Sequence, residues 1–116
     1  MAITSEIIGK FGGAGVEVIP VEGEASGRNG SSEVIATIDI PAGETWLVAA
    51  IGQATAASNT TTLRPRLQLG DEVSTVASHG THGLATTATE PISISIKRNT
   101  SSGADTFTGH VYTVKL

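Results

Sequence analysis

The stretch that decides the fold is residues 33–56, which read "EVIATIDI", "PAGE" and "TWLVAAIGQATA" in succession. The first segment alternates, which predicts a strand. Its two faces carry Val34, Ala36, Ile38 and Ile40 on one side and Ile35, Thr37 and Asp39 on the other. Residues 41–44 predict a type II turn, because Pro41 fixes φ and Gly43 accepts a positive φ. The third segment is apolar on both faces up to Gly52, which predicts a central strand with a bulge or bend at that glycine.

The rest of the chain continues the pattern of short strands and turns. Residues 62–69 alternate, with Leu63, Pro65, Leu67 and Leu69 facing inward and Arg64, Arg66 and Gln68 outward. Pro65 limits this segment to an edge or near-edge position. Residues 91–98 alternate isoleucine with serine and lysine, 73–78 and 84–90 are weaker strand candidates, and residues 106–116 predict a last strand bent near Gly109.

No window of about 11 residues or more has helical periodicity, and turn residues separate about seven or eight strand candidates. This pattern predicts an all-β protein, an antiparallel β-sandwich of jelly-roll-like type. The order of the strands within the sheets does not follow from the pattern.

The first 32 residues differ from the rest because two glycine-rich segments, 9–15 and 22–32, interrupt them. Between these segments, residues 16–21 ("VEVIPV") form a strand candidate that Pro20 confines to an edge. Two interpretations stay open: an arm that pairs with another subunit, or a strand on its own domain after a mobile N-terminus. The predicted division is an N-terminal arm or edge-strand segment, 1–32, and a β-sandwich domain, 33–116.

Composition excludes several classes of protein. The chain has 116 residues, the size of one domain, and no cysteine, which rules out disulfides, a thiolate nucleophile and cysteine-ligated zinc. The net charge of −4 and an aromatic content of 3% argue against nucleic-acid binding. We find no secretory leader and no apolar run of about 18 residues, so we expect no membrane partner and synthesis in a host cytoplasm.

The histidines of "SHGTHGL" (78–84) are the first candidates for chemistry. His79 and His82 could share a metal ion, but a stable site needs a third or fourth ligand. That ligand could come from His110, Asp71, Glu72 or Glu90, or from further copies of the chain meeting on a symmetry axis. Because a glycine follows each histidine, we interpret the segment as a flexible surface loop at one end of the sandwich, and predict no bound metal or cofactor.

Other catalytic motifs are weak. The glycine segment 9–15 has neither phosphate-loop nor dinucleotide spacing, and no serine lies in a G-x-S-x-G motif. A carboxylate pair from Asp71, Glu72 and Glu90 would suit glycoside chemistry, but one Trp and one Tyr offer little to stack a sugar ring. We therefore predict that the protein is not an enzyme.

Six residues are candidates for partner binding. The apolar side chains of the edge-strand candidate are Val16, Val18, Ile19 and Val21. Arg64 and Arg66 project from one face of their strand and could meet an acidic surface, since arginine is enriched at interfaces. Trp46 follows a turn directly and is expected in the core.

The run "IDIPAGETWLVAAIGQAT" (38–55), with the closing "PISISIKRNTSSGADTFTGHVYTVKL" (91–116), resembles β-sandwich modules of tailed-virus virions. Capsid decoration proteins, head fibres and tail adhesins have such modules. The resemblance covers residues 38–116, and its motif marks a turn and a strand without any functional residue to carry over.

The resemblance implies a non-enzymatic virion protein that works as a trimer or larger cluster. The first expectation is a bacteriophage capsid decoration (cement) protein, which binds the major capsid protein or other virion proteins. The alternative is a tail- or fibre-associated module that binds a receptor or carbohydrate.

Overall fold

The computed structural model describes residues 15–55, 65–74, 80–98 and 103–116, and these form eight β-strands. The strands are β1 (Val16–Ala25), β2 (Ser32–Ile38), β3 (Trp46–Thr55), β4 (Arg66–Leu69), β5 (Glu72–Val73), β6 (Gly80–Ala88), β7 (Ile92–Lys97) and β8 (Asp105–Lys115). Within these ranges the chain has no helix, and so none that is long and apolar enough to cross a membrane.

The strands form two four-stranded antiparallel sheets that pack face to face. Sheet A has the order β1-β8-β3-β6, and sheet B has the order β2-β7-β4-β5. This is the strand order of an eight-stranded jelly roll, in which the chain repeatedly crosses from one sheet to the other. The predicted antiparallel β-sandwich is confirmed.

The first strand belongs to the sandwich of its own chain. β1 is the edge strand of sheet A and pairs with β8 along its whole length, from Val16 opposite Val114 to Ala25 opposite Asp105. An edge position suits Pro20, which has no N–H to donate. Of the two interpretations of residues 16–21, the structure therefore has the strand on its own domain, and β1 is part of the sandwich.

The hydrophobic core lies between the sheets and consists mainly of aliphatic side chains packed around Phe107. Its fully buried side chains include Val48 and Ala50 of β3, Leu67 and Leu69 of β4, Ile94 and Ile96 of β7, and Phe107 and Val111 of β8. The inward faces predicted for 62–69 and 91–98 are confirmed where they are described; Leu63 and Arg64 lie outside the described residues.

The prediction of which β2 side chains share one face of the strand is wrong at the start of the strand. A register shift between Val34 and Ala36 interrupts the pairing of β2 with β7. Ile38 and Ile40 are buried as expected, but Val34 is 59% exposed on the outside of sheet B, while Ile35 and Ala36 pack partly against the core. The extra residue changes the phase of the alternation, which a strict two-residue period cannot anticipate.

Of the bulge or bend predicted at Gly52, the bulge is wrong, whereas the bends predicted at Gly52 and Gly109 stay predictions. Both strands run through these glycines in continuous register, and the two glycines lie opposite each other on the inner side of sheet A. A Cβ on Gly52 would lie 2.5 Å from the Cζ of Phe107. The glycines are therefore explained by packing, since they make room for the phenylalanine ring.

The turn between β2 and β3 has the expected geometry. Gly43 has a φ of +81°, and the Glu44 N–H donates to the Pro41 carbonyl at 3.1 Å. Trp46 then packs partly against the core and donates its Nε1–H to Glu44 Oε1 at 2.9 Å. The prediction that Trp46 lies in the core is confirmed in part, because the side chain packs against the core while its N–H binds Glu44.

Candidate interaction surface

The outward side chains of sheet A form rows across its four strands, which the pairing register defines. From β1 through β8 and β3 to β6, the rows are Val16–Val114–Leu47–Thr87, Val18–Tyr112–Ala49–Ala85, Pro20–His110–Ile51–Gly83 and Glu22–Thr108–Gln53–Thr81. Beyond them lie Glu24, Thr106 and Thr55. The outer face is thus divided, with mainly apolar residues in the first three rows and polar residues in the rest.

We call the apolar part of this face the sheet A patch. It comprises Val16, Val18, Pro20, Leu47, Ala49, Ile51, Gly83, Ala85, His110, Tyr112 and Val114. Leu47, Ile51 and Tyr112 are exposed by 38%, 45% and 36%, although a solvated sheet face normally carries polar residues. A contiguous exposed apolar surface of this kind marks an interaction site.

The sheet A patch is uneven in height. In its central row, Val18 and Tyr112 stand on β1 and β8, and the much smaller Ala49 and Ala85 follow on β3 and β6. Ala49, Ile51, Gly83, Leu84 and Ala85 line a shallow hollow of about 240 Å³ on the β3–β6 side. In the central row, the β1–β8 half of the patch therefore projects and the β3–β6 half is recessed.

The outer face of sheet B is polar. Its outward positions carry Ser32 and Thr37 on β2, Ser93, Ser95 and Lys97 on β7, and Arg66 and Gln68 on β4. Ser32 donates its hydroxyl to Gln68 Oε1 at 2.6 Å across the sheet. Val34 is the exposed large apolar residue among these side chains.

The predicted partner-binding residues fall in three places. Val16 and Val18 lie on the sheet A patch, half-buried by their neighbours. Ile19 and Val21 point the other way and are only 2% and 3% exposed in the core, so their side chains are not available to a partner. Arg66 lies half-buried on the outside of sheet B, and Arg64 lies outside the described residues.

The predicted histidine loop is wrong where it is described. Residues 80–84 belong to β6, which pairs with β3 throughout, so ladder hydrogen bonds hold these glycines in a strand. His82 is buried between the sheets, with its Nδ1 3.0 Å from Ser74 Oγ, and that hydroxyl accepts from the Leu67 N–H at 3.1 Å. His79 lies outside the described residues.

The structure does not bring the proposed metal ligands together. His110 projects from the outer side of sheet A, whereas His82 is on the inner side. Asp71, Glu72 and Glu90 share an open hollow of about 430 Å³ at the other end of β6. The described part of the chain contains no group of three His, Asp or Glu residues that could hold a metal ion. Because His82 is enclosed, it cannot reach an ion on an external symmetry axis.

Glu17 is an unusual inward residue on β1. It is 7% exposed, and its Oε2 has no hydrogen-bond partner among the described residues. Burial raises the pKa of its carboxyl group, because the charged form loses hydration. The facing residue on β8 is Thr113, which is fully buried with its hydroxyl likewise unsatisfied there.

Sequence reasoning missed a buried charge pair at the far end of the sandwich. Arg98 Nε lies 3.0 Å from Asp105 Oδ2, and both side chains are fully buried. Arg98 Nη1 also donates to the carbonyls of Ala25 and Gly103, at 2.7 Å and 2.9 Å. The alternation could have predicted this pair. Arg98 continues the two-residue spacing of the inward residues Ile92, Ile94 and Ile96, so the pattern places a charged side chain in the core.

The sheet A patch was missed for a similar reason. The sequence shows that residues 46–51 are apolar on both faces, and this pattern predicts a central strand. That prediction leaves no face of the strand for a partner. A sandwich of two layers covers only one side of each sheet, so one of those faces had to be exposed.

No protein-family model matches the sequence, and the search of curated proteins gave no match either.

Proposed function

We propose that this protein is a non-enzymatic structural protein of a virion, a capsid decoration protein that acts by binding other protein subunits. The observation that carries the proposal is the sheet A patch, with Leu47, Ile51 and Tyr112 exposed on the outer side of sheet A. The resemblance of residues 38–116 to virion β-sandwich modules supports the same role.

The arrangement of polar side chains favours binding over catalysis. Ser74 and His82 are hydrogen-bonded to each other, but they are 7% and 4% exposed, so a substrate has no access to the serine hydroxyl. The carboxylates of Asp71, Glu72 and Glu90 line a hollow that is open to solvent. Ligand and substrate sites are usually clefts that enclose most of the bound molecule.

A decoration protein gains from a weak apolar contact that is repeated many times. A capsid offers the same site many times, so copies that are joined to one another bind with an avidity well above the affinity of one site. The sheet A patch supplies apolar contact area, while few charges are present to oppose close approach. Residues 1–14 precede Val16, which is part of the patch, and we propose that they contribute to the same contact.

The direct test is to find the protein in purified virus particles and to count it. We expect a copy number comparable with that of the major capsid protein, removal by mild denaturant, and saturable rebinding of the purified full chain. A count of a few copies per particle would support the tail or fibre module instead. Absence from particles would reject both virion roles.

The rebinding test needs a truncation that leaves the sandwich intact. Deleting residues 1–21 would remove most of β1 and take Ile19 and Val21 out of the core, so loss of binding could simply reflect unfolding. Deleting residues 1–14 leaves every described strand in place. We expect this variant to fold and to rebind more weakly than the full chain.

A further inference from the structure

We infer that two copies of this chain pair face to face through their sheet A patches. The two copies are related by a two-fold axis that lies in the interface, parallel to the strands and over the gap between β8 and β3. The inference rests on the proposed function only in taking the patch as a protein-binding surface. The pair uses the same face that we propose for the capsid contact, so pairing and capsid binding compete for it. Pairing in solution and binding to particles are measured separately, so either can fail alone.

The first argument is the complementarity of the patch with itself. The two-fold axis lays β1 of one copy over β6 of the other, and β8 over β3. Tyr112 then lies opposite Ala49, and Val18 lies opposite Ala85. In this central row each large side chain faces a small one, and the Tyr112 side enters the hollow beside Ala49 and Ala85. The rows on either side bring Val114 opposite Leu47 and His110 opposite Ile51, which are apolar contacts without a difference in size. A surface that carries both projection and hollow suits an isologous contact.

The second argument is the position of the charges. Glu22 and Glu24 are the acidic residues on the outer face of sheet A, and both are on β1, at one edge. In the pair, the two β1 strands lie at opposite edges, about 14 Å apart across the sheet. Glu22 of one copy meets Thr81 of the other, so the carboxylates of the two copies do not face each other.

The third argument is the area. Four strands spaced by about 4.8 Å and about ten residues long give a face of roughly 19 by 34 Å, or about 650 Å². Specific protein interfaces bury about 600–1,000 Å² per partner. The whole face therefore reaches the lower end of that range, which predicts a reversible pair rather than a permanent one.

The experiment measures the mass of the full-length chain by sedimentation over a series of concentrations. We expect a shift from one copy to two as the concentration rises. Ala85→Arg places a charge in the hollow and should weaken pairing by more than about tenfold. The matched control is Val34→Arg, at the exposed position on sheet B, which should pair as the parent does.

A cross-link tests the geometry independently of these variants. The chain has no cysteine, so Glu22→Cys and Thr81→Cys proteins each carry a single thiol. A bis-maleimide that spans about 10 Å, the usual distance between packed sheets, should join the two proteins in a mixture. It should join the Glu22→Cys protein to itself far less, because the two β1 strands are at opposite edges.

Several results would overturn the inference. A single-copy mass at every concentration would do so, as would a three-copy mass or an Ala85→Arg variant that pairs normally. If the full chain stays single while a chain without residues 1–14 pairs, the patch is covered by its own N-terminal segment. Equal cross-linking of Glu22→Cys to itself and to Thr81→Cys would reject the two-fold arrangement.

Discussion

The two outer faces of the sandwich cover the same core but have opposite chemistry. Strand β3 in sheet A and strand β7 in sheet B each lie between two neighbours, and each buries one face against the other sheet. Outward, β3 presents Leu47, Ala49 and Ile51, whereas β7 presents Ser93, Ser95 and Lys97. Folding of the sandwich therefore does not require an apolar outer face.

The contrast between the two outer faces indicates which surface of the sandwich is the better candidate for function. Burial in the core explains the inward apolar residues of both sheets, and the outward positions of β7 are polar even at Ser95, which is 5% exposed. Burial in the core does not explain the outward leucine and isoleucine of β3. The predictions below test that contrast, first through the elements that hold the two sheets in place and then through the faces themselves.

The largest effect is expected from Arg98, which joins the two sheets. It follows β7 of sheet B and binds Asp105 of β8 and the Ala25 carbonyl of β1, both in sheet A. Arg98→Met should cost about 3–5 kcal/mol, because it leaves the Asp105 carboxylate buried without its partner. Urea denaturation of the folded chain measures the loss.

Two variants show whether the buried charge is the cause. Lys97→Met changes the preceding, outward-facing residue and should alter the unfolding free energy by no more than about 0.5 kcal/mol. The double variant Arg98→Met with Asp105→Leu removes both charges and should recover most of the loss. If Arg98→Met costs no more than Lys97→Met, the ion pair does not hold the sheets together.

The next effect contrasts the inner and outer sides of sheet A. A Cβ on Gly109 would lie 2.6 Å from the Cα of Gly52 and would overlap the Ile51 carbonyl oxygen, whereas a Cβ on Gly83 would lie 3.8 Å from the Ile51 side chain. Gly109→Ala should therefore destabilise by about 1–3 kcal/mol through overpacking. Gly83→Ala should be neutral or slightly stabilising, since alanine restricts the unfolded chain. Equal thermal shifts for the two variants would contradict this account.

The sequence predicted the strands well because a two-residue alternation reports burial directly. The inward phases of residues 65–69 and 92–96 were correct, as was the turn at Gly43. The order of the strands was not predictable, because alternation contains no information about which strands pair. The bulge after Val34 and the packing of Gly52 against Phe107 also depend on neighbours that are distant in sequence.

The candidate site was less predictable. Glycines after the histidines suggested a loop, but pairing with β3 holds residues 80–84 in a strand. The apolar character of residues 46–51 was seen, yet which face would be exposed depends on the number of layers. Alternation alone could have predicted that some charged side chains point inward. Glu17 and Arg98 are the clearest examples, because each falls at an inward position of its strand.

A smaller effect is expected at Glu17, which interrupts the apolar inner side of β1. Its raised pKa means that the folded state holds the proton to higher pH than the unfolded state does. The unfolding free energy should therefore fall as pH rises from the unfolded pKa, about 4.3, through the folded pKa. Glu17→Gln remains neutral, so it should be more stable than the parent at pH 7 and equal to it below about pH 4.

The pH dependence of the difference is the measurement, taken from urea denaturation of parent and variant at matched pH values. Glu24→Gln provides the control, because Glu24 is exposed on the same strand. It should not reproduce the gain in stability at pH 7. A Glu17→Gln variant that is less stable than the parent at pH 7 would mean that the carboxylate is stabilised by an interaction, and the explanation by burial would fail.

The smallest effect on the single chain, and the sharpest contrast between the faces, comes from Ile51→Thr and Val34→Thr. Both side chains are exposed, so each variant should change the unfolding free energy of the dilute protein by no more than about 0.5 kcal/mol. Pairing through sheet A makes the parent Tm rise with protein concentration, because association stabilises the folded state. That rise should disappear in Ile51→Thr and persist in Val34→Thr. If both variants lose it, the polar outer face of sheet B also takes part in association, and the two faces do not differ in the way their residues indicate.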